Sequence, residues 1–258
     1  ILESLLRIFL SLSTLTTLTM STPHFDLTPT VPAPWHAPPQ TSFIHSYTPS
    51  PSKTDSNLLI LFHGLGDTHA PFTTLAHSLS LPHTATLSLQ APSQVPLLEE
   101  PAYQWWHSFD ELGELIPNPN PVKTLKLLLE LLQHLTTPAP GPGWKAGEIH
   151  LFGFAQGGSC AGELALAWAR LGKEPLGSVV AISAPLLSHP TVGEKVGTKA
   201  LVGVRKGEER SVGVASWRKG FANVQELGLG KGGGMLRGRE EWEEVMRCVR
   251  FLRVERGS

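Results

Sequence analysis

Residues 149–166 read IHLFGFAQGGSCAGELAL, and this stretch decides the fold. An apolar run of strand length, Glu148 to Phe154, passes straight into Gly157 and Gly158 and then into a helical pattern that continues through Leu171 and closes at Gly172. A strand that turns into a helix with so few residues between them needs near-absent side chains on both flanks, which Gly153 and Gly157 supply on either side of Ala155. Such a turn also holds its central residue in a strained backbone conformation.

Outward from this unit the same alternation repeats. Strands are predicted at Leu58–Phe62, Thr84–Gln90, Gly177–Ser183, Lys199–Val204 and Val224–Gly228, and helices at Pro71–Leu79, Val122–Leu135 and Arg239–Arg253. The last helix places Trp242, Val245, Met246, Val249 and Leu252 on one face. Strands alternating with helices imply an α/β fold: a mostly parallel central sheet of about six or seven strands with helices on both faces. Residues 1–57 are predicted to form an N-terminal extension, largely disordered because of its Pro, Ser and Thr content, with one short alternating run at Thr41–Tyr47 suited to an edge strand. The folded domain is expected over 58–254, with 255–258 as a tail.

Composition narrows the function. The chain has 258 residues, 41% of them hydrophobic, enough for one large core. A net charge of −1 and the lack of a long basic run outside the C-terminal third argue against nucleic acid or an anionic membrane as partner. Cys160 and Cys248 both fall in apolar helical patterns, as buried thiols of a reducing compartment do, and neither a disulfide framework, a metal cluster nor a cofactor is implied. Ile1–Leu18 is rich in Leu, Ser and Thr but lacks a basic n-region and a small-x-small cleavage site, so it is read as lying ahead of a start at Met20. Secretory targeting is the alternative, a stable membrane span is not expected, and the expected location is cytoplasmic.

Gly153-Phe154-Ala155-Gln156-Gly157 follows the nucleophile-elbow pattern G-x-S-x-G with alanine at the serine position. Around it stand LLILFHGLGD (58–67), QAPSQVP (90–96), WWHSFDELGEL (105–115) and REEWEEVMRCVRFL (239–252). In order and spacing these blocks resemble the α/β-hydrolase family of phospholipases, carboxylesterases and acyl-protein thioesterases, over roughly Leu58 to Leu252. The resemblance implies an α/β-hydrolase fold and an oxyanion hole made by the backbone amides of Leu65 and Gln156. It also implies a substrate groove walled by Leu97, Leu98, Trp105, Trp106 and Phe109, although a core face and a groove lining look alike in sequence. His63 is read as a structural histidine that shapes the oxyanion loop.

The departures from the family carry as much weight. A methyl group at Ala155 cannot attack a carbonyl carbon. By the resemblance, the acid loop is Lys206–Val212, with Arg210 at the acid's place and Glu208 or Glu209 as substitutes after a register change. The histidine loop is Lys231–Met235, with Gly233 at the histidine's place. No Asp follows Asp110 and no His follows His189. Ser159 and Cys160 lack a neighbouring base and read as packing residues, and His107 sits where it can reach the pocket mouth. The expectation is a catalytically impaired relative that retains an acyl-binding pocket for an acyl ester, acyl thioester or lipidated-protein ligand. The alternative is a weak carboxylic ester or palmitoyl-protein thioester hydrolase with an unrecognised nucleophile.

Overall fold

The computed structural model describes residues 43–96, 98–188, 190, 193, 195–236 and 238–254, with no side-chain description beyond Arg247. The described residues fall within one compact unit, Pro32–Ser258. The expectations for Ile1–Leu18, for a start at Met20 and for the 255–258 tail lie outside the described residues.

In chain order the elements are β1 (His45–Thr48), β2 (Asn57–Phe62), α1 (His69–Leu79), β3 (Thr84–Leu89), a small pair β4 (Ser93–Gln94) and β5 (Tyr103–Gln104), and α2 (Val122–Leu135). Then come β6 (Ile149–Phe154), α3 (Gln156–Arg170), β7 (Ser178–Ile182), β8 (Lys199–Arg205), α4 (Glu209–Val212), α5 (Val214–Gly220), β9 (Val224–Leu229) and α6 (Gly238–Val254). The main sheet runs β1-β3-β2-β6-β7-β8-β9. Every pair in it is parallel except the edge pair of β1 with β3. The doubly covered parallel sheet expected from the alternation is therefore what the chain builds.

The domain boundary expected at Leu58 needs correction. His45 to Thr48 pair with Leu89 to Thr86 in register, and Phe43 is buried against Trp105, so the sheet claims its first strand from the Pro-rich segment. Backbone donors on the outer side of β3 take a partner from there, covering an otherwise open edge.

Period-two alternation divides the core between the two faces. Leu58, Ile60 and Phe62 of β2 face one side, with Ile149 and Leu151 of β6, Val179 and Ala181 of β7, and Ala200 and Val202 of β8. That side is covered by α2 through Leu128, Leu131, Leu132 and Leu135, by α3 through Leu164, Ala165 and Trp168, and by Trp217 of α5. Leu61, Phe152, Val180, Ile182 and Leu201 face the other way, toward Phe72 and Ala76 of α1 and Val245 of α6.

α3 begins against the sheet with no space to spare. A Cβ on Gly157 would lie 2.4 Å from the carbonyl oxygens of both Phe62 and His63, and one on Gly153 would lie 2.4 Å from the backbone of Gly157. These obstacles are backbone atoms, which cannot swing aside as a side chain does. Gly157→Ala is accordingly expected to lower stability by about 3 kcal/mol or more, whereas Gly228→Ala, at a site with nothing within 4 Å, should change it by less than about 0.5 kcal/mol. Urea unfolding of the full chain measures both. Equal effects would mean that α3 can retreat from β2 at little cost.

Candidate active site

Ala155 is the hinge between β6 and α3, with φ 48° and ψ −118°. A Cβ-bearing residue in this region costs on the order of 1–3 kcal/mol and persists only where its surroundings force it. Here they do. The Ala155 N–H donates to Ile182 O of the neighbouring strand (2.8 Å), and Ala155 O accepts the N–H of Ser159 (3.0 Å), opening the helix. The Ala155 side chain thus stands at the carboxyl edge of the sheet, at the N-terminus of α3.

The loop after β2 is organised by His63, which is fully buried. Its Nδ1–H donates to Gly64 O (2.7 Å), which leaves Nε2 to accept the N–H of Ala91 (3.0 Å) and fixes the neutral tautomer. Burial holds the imidazole below its ordinary pKa. The Gly64 bond and the charge of Asp67 offset part of that lowering, and His69 adds to it. Among the described residues, neither the Leu65 N–H nor the Gln156 N–H has an acceptor. Both are free backbone donors at the ends of elements that meet through Gly157, which suits them to an oxyanion.

The Gln156 side chain has a second task. Its Oε1 accepts Trp105 N–H (2.7 Å), and its Nε2 donates to Ser108 Oγ (2.8 Å) and Trp106 O (3.3 Å). One amide group therefore ties the long connection after β5 to the start of α3. Sequence reasoning missed this tie, and the only hint was a polar residue inside an apolar helix start.

The five residues expected to wall a groove do not share one environment. Trp105 is fully buried in the core, with its indole N–H donated to His63 O (2.8 Å) and its ring centroid 5.1 Å from that of Phe62. Trp106 is also buried, Phe109 is half-buried, and Leu98 is exposed. Leu97 lies outside the described residues. The groove reading for Trp105 is thus corrected: its N–H finds a carbonyl inside the fold, which lets the whole ring enter the core.

Of the loop residues, Arg210 and Gly233 are exposed. Glu209 is exposed too, and both its carboxylate oxygens accept the Gly207 N–H (3.0 Å each), which holds its pKa below the ordinary carboxylate value. Glu208 Oε2 is enclosed and unpartnered among the described residues. The two loops are joined by Arg205, which closes β8. The Arg205 side chain is 2% exposed, and its guanidinium donates to Gly234 O (2.9 Å), Met235 O (2.8 Å) and both carboxylate oxygens of Glu241 (2.9 and 3.1 Å). Nothing in the apolar strand pattern that ends at Val204 foretells this contact. Ser183 follows directly after β7 at φ 52°, and its enclosed Oγ has no partner among the described residues.

A parallel sheet that turns at a strained, glycine-flanked elbow onto a helix N-terminus, beside a loop with a free backbone amide, defines an α/β-hydrolase scaffold. The chain belongs to the phospholipase/carboxylesterase family, whose sequence pattern matches residues 45–204. It is 40% identical over 205 residues to an uncharacterized hydrolase of Mycosarcoma maydis, covering 79% of this chain and 75% of that one. Esterase PE8 superposes with a TM-score of 0.61 at 19% identity, over 81% of this chain and 99% of its own. Acyl-protein thioesterase 2 of Zea mays gives 0.59 at 19%, over 81% and 98%. At these identities the two structures speak for the fold alone.

Two tests follow from the site's architecture. Because the pKa of His63 is lower folded than unfolded, the unfolded chain binds more protons as pH drops below about 6.5. Stability should therefore be full above that value and fall as pH approaches the folded-state pKa. His63→Asn should be less stable throughout but lose less between pH 7 and 5, as read by urea unfolding. Separately, Arg205→Met removes four hydrogen bonds from a buried cation and should cost about 3 kcal/mol. Arg205→Met with Glu241→Met should cost less than the sum of the single changes, and strict additivity would deny the coupling.

Proposed function

We propose that this chain is a catalytically impaired member of its family, which keeps a site for an acyl ester, acyl thioester or lipidated-protein ligand but forms no acyl-enzyme. The observation that carries the reading is Ala155 at the elbow. The residue placed to attack a carbonyl carbon ends in a methyl group, which has no lone pair to donate and no proton for a base to remove. Two further positions support it: Arg210 and Gly233 stand where the family resemblance puts the acid and the base. The free amides of Leu65 and Gln156 would still receive a carbonyl oxygen.

Neighbouring groups offer poor substitutes. The Ser159 hydroxyl is buried and donates to Ala155 O (3.3 Å). The Cys160 thiol is fully enclosed, and burial, with Glu163 nearby, pushes its pKa far above the ordinary value, away from thiolate. One observation favours a second reading, a weak ester or thioester hydrolase. Ser183 follows the strand next to the one that ends at Ala155, at positive φ, and its hydroxyl has no partner among the described residues.

A cytoplasmic setting belongs to the proposal, supported by the sparse cysteines and the free, buried Cys160. No helix among the described residues is long and apolar enough to cross a membrane.

Nitrophenyl esters and acyl thioesters of short and long chain, offered to the full chain, test the readings. The native protein should be inert, yet bind a non-hydrolysable acyl-thioether analogue saturably. Ala155→Ser combined with Arg210→Asp and Gly233→His should turn over. Native turnover that persists through purification and disappears in Ser183→Ala would replace the first reading with the second. No saturable binding of the analogue would remove the retained acyl site.

A further inference from the structure

Residues 108–116 form a tight turn that holds two leucines out in solvent. The Asp110 N–H donates to Glu114 O (2.9 Å), the Gly113 N–H to Asp110 O (3.1 Å) and the Ile116 N–H to Ser108 O (2.9 Å). Asp110 Oδ1 accepts the N–H groups of Leu112 and Glu114, both at 2.9 Å. The root is held by Gln156 through Ser108 Oγ. Ordered from both ends in this way, the turn nevertheless leaves Leu112 84% and Leu115 72% exposed.

That combination asks for a partner. Exposed leucine surface forgoes roughly 25 cal/mol for each Å² that could have been buried, and the hydrogen-bond network fixes a shape that costs conformational entropy. An ordinary solvated loop gains nothing from either. A preorganised apolar tip does gain, because a partner that covers it has no ordering cost left to meet.

Charge says which kind of partner. Asp110, Glu111 and Glu114 flank the two leucines in sequence, all are exposed, and none forms an ion pair among the described residues. No Lys or Arg occurs between Lys53 and Lys123, a stretch that also holds Glu99 and Glu100. The turn and the segment that carries it are therefore acidic, a charge that disfavours an anionic lipid surface and favours a cationic partner.

We propose that the 108–116 turn is a docking surface for a cationic, apolar segment of a protein partner. Leucine-like side chains would cover Leu112 and Leu115, and Lys or Arg side chains would face Glu111 and Glu114. The proposal stands apart from the acyl-site reading and does not depend on it.

Fluorescence anisotropy with the full chain tests it, using three labelled peptides: alternating Lys and Leu, alternating Glu and Leu, and alternating Lys and Ser. The Lys–Leu peptide should bind in a salt-sensitive manner and the other two far more weakly. Its affinity should fall by about tenfold or more in Leu112→Ser with Leu115→Ser, and likewise in Glu111→Lys with Glu114→Lys. The charge-reversed protein should instead gain affinity for the Glu–Leu peptide, a gain that a misfolded protein would not show. Equal affinity across the variants, or no binding of the Lys–Leu peptide, would overturn the proposal. Co-sedimentation with phosphatidylcholine vesicles containing phosphatidylserine, in place of peptide binding, would assign the tip to membranes and overturn it as well.

Discussion

The approach of α3 to the carbonyl ends of β2 is the contact on which the rest of the site depends. Gly157 sits where any Cβ would strike the Phe62 and His63 carbonyls, so the helix start lies directly against the backbone at the end of β2. From that contact follow the left-handed turn at Ala155, the placement of the Gln156 N–H at the helix end, and the nearness of its side chain to Trp105 and Ser108. A steric limit of this kind is insensitive to what the central residue carries, provided it is small.

Much of the fold was legible because its causes are local. Leu58–Phe62 is a continuous apolar run of strand length that reads as a buried parallel strand, and Gly153 and Gly157 mark the turn; which of its residues face which side emerges only in the fold. The edge strand was half-legible: Thr41–Tyr47 showed alternation, yet the domain start was set at Leu58 because Pro and Ser crowd the intervening residues. What rescues His45–Thr48 is a partner more than thirty residues away in sequence, the open side of β3.

The site was less legible for the same reason. Trp105 could be assigned to a groove or to the core with equal justice until its N–H was seen to meet His63 O. Arg205 lies just past the predicted strand Lys199–Val204, and in the fold it is enclosed by carbonyls and a carboxylate contributed from residues 234–241. Tertiary partners decide both cases, and a single sequence does not display them.

These two kinds of constraint bear differently on chemistry. The elbow and the start of α3 are held against β2 by backbone contacts that any small residue at position 155 satisfies, so this frame does not depend on what the side chain there carries. Among the described residues, the loops after β8 and β9 show no such backbone contact at Gly207, Gly232 or Gly233. Their junction rests on Arg205, whose guanidinium takes up the Gly234 and Met235 carbonyls and the Glu241 carboxylate. An arginine used in this way serves rigidity: four of its five N–H donors are engaged and its charge is paired with Glu241. Under the proposed function the two observations belong together: once no proton has to be relayed between these loops, a static ion pair can hold them as well as a catalytic pair would. Scaffold and activity then part company, and family membership by itself says nothing about turnover.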